Sequence, residues 1–274
     1  MWPDLIQIGP FPIRTWGLML ALSFVFGLFY LKRMARRDNV DFEPILTVAY
    51  IMIIGGVLGA RLFYVVLHWP DFSGNLGAIF NPFQSGRFGI AGLNLYGGVL
   101  AAIGGSWLYC RWRNLPVLNI FDYFAPTLGL GIGISRIGCF LNGCCFGTPT
   151  DLPWGVSFPI GSIPFMVYGV QPLHPAQLYS SAYGFLLFIT MHFLLRRRRY
   201  VGQLVAITFV AEAILRFVIE YVRYYEEEMV FSFLGMQPTY NQVVSVLLVA
   251  AGIAVHLLNR RKGRPETPSI KVDD

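Results

Sequence analysis

The residues best suited to chemistry in this chain are arginines set in or beside apolar runs. Arg136 opens the run Arg136-Ile137-Gly138-Cys139-Phe140-Leu141-Asn142-Gly143-Cys144-Cys145-Phe146-Gly147, after an apolar, glycine-rich segment over residues 121–134. A charge at the edge of a hydrophobic span is costly, so by default it marks function. The alternative is an arginine whose stem lies in the apolar layer while its head reaches water. Further along, Glu212, Arg216 and Glu220 follow at i, i+4 and i+8, and Arg223 comes next. On one helix all four share a face. That face is either a self-neutralising ion-pair ladder or a polar stripe lining a cavity. A cavity with Arg216 and Arg223 on one wall and Arg136 on another suits phosphate, because the guanidinium fork matches phosphate oxygens.

Other polar residues stand out against the same apolar background. Arg61 sits well inside an apolar run. Asn94-Leu95-Tyr96-Gly97-Gly98 lies in the first part of one apolar run, and His174-Pro175-Ala176-Gln177-Leu178-Tyr179 opens another. Asp122, at the start of another, is expected to cap its own helix. Cys139, Cys144 and Cys145 lack the paired C-x2-C spacing of common zinc sites, and no histidine lies near them in sequence. Packing thiols are expected there, with a disulfide as the alternative on an oxidising face, and no metal.

These residues are positioned by apolar spans. The chain has 274 residues, 55% hydrophobic and 13% charged, with a mean hydropathy of +0.56. A soluble chain carries about twice that share of charge. Continuous apolar runs of about 20 residues exclude a barrel, whose strands alternate over about 10. The reading is an all-α polytopic membrane protein with seven transmembrane helices over residues 15–31, 44–67, 88–109, 119–141, 175–195, 202–221 and 240–258. All belong to one integral membrane domain over residues 1–274, with a polar tail over 259–274. No basic segment precedes the first span, so it is expected to be retained rather than cleaved.

Most of the 21 Lys and Arg fall in four clusters: Lys32/Arg33/Arg36/Arg37, Arg111/Arg113, Arg196 to Arg199, and Arg260/Arg261/Lys262/Arg264. They follow the first, third, fifth and seventh spans. That places the N-terminus outside and the C-terminus in the cytoplasm. Charge so divided is not a nucleic-acid surface. Arg136 then lies toward the outer face, and the acidic run Glu226-Glu227-Glu228 is in an outer loop.

The chain resembles the prolipoprotein diacylglyceryl transferase family over nearly its full length. The resemblance rests first on Arg136-Ile137-Gly138-x-Phe140-x-Asn142-Gly143 with Gly147, then on His174-Pro-x-Gln177-Leu178-Tyr179 and Arg216-Phe217-x-x-Glu220-x-x-Arg223. Trp16-Gly17-Leu18-Met19, Gly59-x-Arg61-x-x-Tyr64, Tyr96-Gly97-Gly98 and Asp122-x-x-Ala125-Pro126 support it in order. It departs from the family pattern in carrying Tyr96 for a histidine, Cys139 for asparagine, Cys144 for glutamate, Glu212 for tyrosine, and Trp16 for tyrosine.

The resemblance implies transfer of a diacylglyceryl group from phosphatidylglycerol to the lipobox cysteine of a preprolipoprotein, at the outer face of the bacterial cytoplasmic membrane. No cofactor is implied, and a monomer is expected. Arg136, Arg216, Tyr96 and Glu220 would be catalytic. Asn142, Gly143, Gly147, Arg223, His174, Gln177, Arg61 and Glu212 would bind substrate. The thiol's proton would pass to Tyr96, Glu212 or Glu220. The rival readings are a non-catalytic lipid- or lipoprotein-binding paralogue and an anion transporter, which lacks support from inverted repeats.

Overall fold

The structure, a computed structural model, describes residues 4–8, 11–79, 83–84, 87–88, 92–224 and 239–261. The Glu226-Glu227-Glu228 run and the tail beyond residue 261 lie outside them. The architecture is helical: α1 (Thr15–Arg37), α2 (Phe42–Leu67), α3 (Trp69–Phe72), a 3-10 turn (Leu76–Ile79), α4 (Leu95–Trp112), α5 (Val117–Asn142), α6 (Ile163–Tyr168), α7 (Ala176–Arg197), α8 (Gln203–Ile219) and α9 (Tyr240–Asn259). Two two-stranded sheets complete it, β1 (Asp4–Ile8) with β2 (Phe11–Arg14) and β3 (Phe83–Gln84) with β4 (Arg87–Phe88). Helices α1, α2, α5, α7 and α9 are long and apolar enough to cross a membrane. Helices α4 and α8, at the expected third and sixth spans, are shorter at 18 and 17 residues.

Several boundaries differ from the sequence reading for local reasons. Helix α1 continues through its basic cluster because Lys and Arg are good helix formers, and it stops at Asn39, which has φ 52°. The third helix starts at Leu95 rather than at residue 88. Gly92 turns the chain at φ 73°, and the Asn94 side chain caps the Tyr96 and Gly97 amides. The sixth ends at Ile219, so Glu220 is a C-cap and Arg223 lies beyond the helix.

The chain forms two compact units. Among the described residues, one comprises 6–8, 11–12, 31–79, 83–84, 87–88 and 92–117. There α2 packs on α4 through glycines: a Cβ on Gly59 would collide with Ala101, and one on Gly98 would stand 2.8 Å from the Gly56 carbonyl. Small residues of this kind let helices approach closely in lipid. Arg61 is 3% exposed here and spent on main chain. It donates to the carbonyls of Ile79 at 2.8 Å, Ala78 at 2.9 Å and Gly92 at 3.3 Å, beneath the rings of Tyr64 and Phe72.

Among the described residues, the other unit comprises 4–5, 13–30, 118–224 and 239–261. Gly129 and Gly133 of α5 face Gly184 of α7 with no room for a Cβ, and Gly138 abuts Met19 of α1. Helix α8 packs against α7 and α9. Asp122 does not cap its own helix. It sits within α5, fully buried, and its carboxylate accepts from the amides of Gly202 (2.8 Å), Leu204 (3.0 Å) and Val205 (3.1 Å) at the start of α8. Arg198 donates to the same carboxylate at 3.2 Å. The first turn of α8 is thus fixed by a residue some 80 positions earlier.

Candidate functional site

The site is assembled within this second unit. Helix α5 supplies Ile132 and Arg136, one turn apart, and the turn after it supplies Cys145. The start of α7 supplies Ala176 and Ser180. Helix α8 supplies Glu212, Leu215, Arg216 and Ile219, and Arg223 follows from the segment after it. Together they line one cleft. Arg136 of α5 and Arg216 of α8 therefore line one cleft together with Arg223.

Arg216 Nε donates to Glu212 Oε1 at 3.3 Å, one helical turn away, both side chains being about one-fifth exposed. Glu212 Oε2 is buried and, among the described residues, has no hydrogen-bond partner. Three guanidinium groups against one carboxylate leave the cleft with an excess of positive charge, suited to an anion.

Residues flanking the cleft hold it in shape. Arg223 is placed by pairing of its strand-like segment with Gly147: the Thr148 amide donates to the Val222 carbonyl at 2.9 Å and the Tyr224 amide to the Phe146 carbonyl at 3.1 Å. Gly147 in turn donates to the His174 carbonyl at 3.1 Å, and the His174 amide donates to Thr148 at 2.9 Å. A Cβ on Gly147 would stand 2.5 Å from His174 and 2.6 Å from the Val222 carbonyl. Its missing side chain admits the protein's own backbone. The His174 ring lies 3.3 Å from the Tyr179 hydroxyl, which accepts from Trp154 Nε1 at 2.7 Å. Below, Phe146, Phe158 and Leu173 form a small core with Phe140, Val156, Tyr168 and Tyr224.

Glu220 is buried. Its oxygens accept from Thr239 Oγ1 at 2.5 Å and Asn241 Nδ2 at 3.3 Å, tying the end of α8 to the start of α9. Gln177 is fully buried and donates to the Cys144 carbonyl at 2.8 Å. Asn142 ends α5, and Gly143 reverses the chain at φ 79°. Tyr96 and Arg61 belong to the first unit, Tyr96 in the first turn of α4.

The same turn gathers three thiols. The Gly143 and Cys144 amides both donate to the Cys139 carbonyl, at 3.0 and 3.1 Å, and Cys145 is left-handed at φ 60°. The sulfurs of Cys139, Cys144 and Cys145 all come within 4.8 Å of one another, none in a disulfide. These are the described residues able to hold a metal ion. Hydrogen bonds from Cys139 and Cys144, with the charges of Arg223 and Arg136, hold the Cys145 thiol below the ordinary thiol range against the effect of burial. Spacing along the chain gave no sign of this cluster. Its signal is the Asn-Gly pair between Cys139 and Cys144, a turn that folds the second pair back on the first.

Long apolar helices around an arginine-rich cleft define a multi-pass membrane protein. The chain belongs to the prolipoprotein diacylglyceryl transferase family, whose model matches residues 3–258. It is 32% identical to the phosphatidylglycerol–prolipoprotein diacylglyceryl transferase of Nitratidesulfovibrio vulgaris, covering 98% of this chain and 97% of that one. It is 30% identical to the enzyme of that name from Finegoldia magna, over 91% and 92% of the two chains. The Synechococcus elongatus enzyme is 33% identical over 71% of this chain and 65% of its own.

Proposed function

We propose that this chain is a transferase that moves the diacylglyceryl group of phosphatidylglycerol onto the lipobox cysteine of preprolipoproteins and releases glycerol phosphate. The observation that carries the reading is the convergence of Arg136, Arg216, Arg223 and Glu212 on one cleft, in a member of this family. The substrate thiolate attacks the glyceryl carbon bonded to the phosphate oxygen. That carbon–oxygen bond breaks, and its electron pair leaves on the phosphate. Developing charge on the leaving group is met by fixed guanidinium groups, usually the largest single catalytic contribution. Arg136 and Arg216 hold the phosphate, Arg223 completes the clamp, and Asn142 borders the headgroup.

The proton acceptor in this reading is Glu212, through its unpartnered buried oxygen, rather than Tyr96 or Glu220. Glu220, Gln177, His174, Gly143 and Gly147 position the cleft's walls. Arg61 fixes the segment after α2. Helices α1, α2, α4, α5, α7, α8 and α9 are the seven spans of one membrane domain, acting as a monomer in the bacterial cytoplasmic membrane. The basic clusters put the N-terminus and the cleft on the outer side. A 17-residue helix is about 26 Å long, within reach of a hydrocarbon core of about 30 Å that thins locally.

The test is Arg216→Lys, assayed with labelled phosphatidylglycerol and a lipobox peptide. Lysine keeps the charge and loses the bidentate fork. Transfer should fall by at least about tenfold, as for the loss of a charge-assisted hydrogen bond. Full activity in Arg216→Lys would refute the phosphate assignment.

A further inference from the structure

We propose that Cys139, Cys144 and Cys145 form a binding site for a thiophilic divalent cation of the zinc class, whose fourth position receives the thiol of the substrate cysteine. The inference rests on the transferase reading for its chemistry, but the site itself rests on geometry.

The three sulfurs lie within 4.8 Å of one another. Tetrahedral zinc, with Zn–S about 2.3 Å, spaces its sulfurs by about 3.8 Å. The cluster therefore closes on an ion by moving each pair about 1 Å or less. The backbone is built to bring the sulfurs together. Gly143 and Cys145 both adopt left-handed conformations, which Cys145 has no intrinsic preference for. Two amides converge on the Cys139 carbonyl, and Gln177 clamps the Cys144 carbonyl. A packing thiol needs none of this. Cys110, fully buried and alone in α4, is what such a thiol looks like.

The number of ligands is informative. Closed structural zinc sites use four protein ligands, whereas catalytic sites use three and keep one position open. Cys145 lines the same cleft as Arg136, Arg216 and Arg223, so the open position adjoins the place where the lipid phosphate is held. Three thiolates around a divalent cation carry one net negative charge, which the neighbouring guanidinium groups balance.

Such a site would serve the chemistry here, because alkylating a thiol at carbon proceeds through a thiolate, and a coordinated thiol is deprotonated. The substrate thiol displaces a water from the fourth position, and its proton goes to the Glu212 carboxylate. The sulfur then attacks the glyceryl carbon, and the carbon–oxygen bond breaks toward phosphate. The phosphate takes up the proton held by Glu212. The thioether formed is a weak ligand and leaves, and water returns.

The test is metal content of the full chain purified in detergent without chelator, by elemental analysis, together with cadmium titration read by sulfur-to-cadmium charge-transfer absorption. The expected result is one zinc per chain, lost together with the cadmium band in Cys144→Ser/Cys145→Ser and kept in Cys110→Ala. Chelation should abolish transfer to a lipobox peptide, and zinc should restore it. Metal-free protein with no cadmium band, or metal retained in the double variant, overturns the site. Transfer that survives chelation overturns thiol activation. One zinc per chain with no transfer by the loaded protein leaves the site standing and refutes the transferase reading instead. Should the double variant misfold, Cys145→Asp, which keeps an anionic ligand, is expected to retain the metal with a weaker cadmium band. An unchanged band overturns the assignment of Cys145.

Discussion

Replacing Asp122 tests how the cleft is held from a distance. Its two oxygens serve four donors: Oδ1 takes the Leu204 and Val205 amides, and Oδ2 takes the Gly202 amide and Arg198. All of this is out of water, the two side chains of the ion pair being 7% and 0% exposed. Asparagine has the right shape but only one acceptor. Whichever way its amide turns, its NH2 group opposes two donors. Removing one partner of a buried ion pair costs about 3–5 kcal/mol, chiefly because the other charge is stranded. Asp122→Asn should therefore destabilise nearly as much as Asp122→Ala, about 3 kcal/mol or more. At about 2 °C or more per kcal/mol, the unfolding midpoint in detergent should fall by at least about 6 °C. Transfer should fall with it, because α8 carries Glu212 and Arg216 into the cleft. Restoring stability by adding Arg198→Met to Asp122→Asn would confirm that the stranded guanidinium is the cause. An Asp122→Asn protein that melts with the wild type would refute this view of how α8 is anchored.

Further outcomes follow from the same geometry. Glu212→Gln removes the proton acceptor but keeps the shape. It should lower kcat by about 10²- to 10⁴-fold, as for a lost general base, with phosphatidylglycerol binding retained; an unchanged kcat would exclude Glu212. Gly147→Ala places a methyl group 2.5 Å from His174. It should lower both the melting midpoint and transfer, whereas Gly131→Ala, which meets nothing within 4 Å, should leave both unchanged. Gln177→Leu leaves the half-buried Cys144 carbonyl without this donor, at a cost of about 1–3 kcal/mol read by thermal unfolding.

Much of this was legible in the sequence, and the misses share a cause. Long apolar runs announce helices, so α2, α5, α7 and α9 lie within two residues of their expected bounds. The cleft's arginines were visible because a charge in an apolar run is costly. What sequence periodicity cannot see is where a helix stops and what folds back on it. Glu212, Arg216, Glu220 and Arg223 read as one helical stripe, yet α8 ends at Ile219. Arg223 reaches the cleft through backbone pairing with Gly147, while Glu220 turns to Thr239 and Asn241. Capping rules are local, so Asp122 was assigned to its own helix when its partners are on α8. Cysteine spacing is likewise counted along the chain, and that count does not see the left-handed turn at Gly143 and Cys145 that gathers three sulfurs.

The most direct measurement is the mass of a lipobox peptide after incubation with the purified chain and phosphatidylglycerol. The peptide should gain one diacylglyceryl group on its cysteine sulfur while glycerol phosphate appears in equal amount. A serine-substituted peptide should gain nothing. An unmodified cysteine peptide, in the presence of chain that is folded and binds phosphatidylglycerol, would contradict the assignment of this arginine cleft to diacylglyceryl transfer.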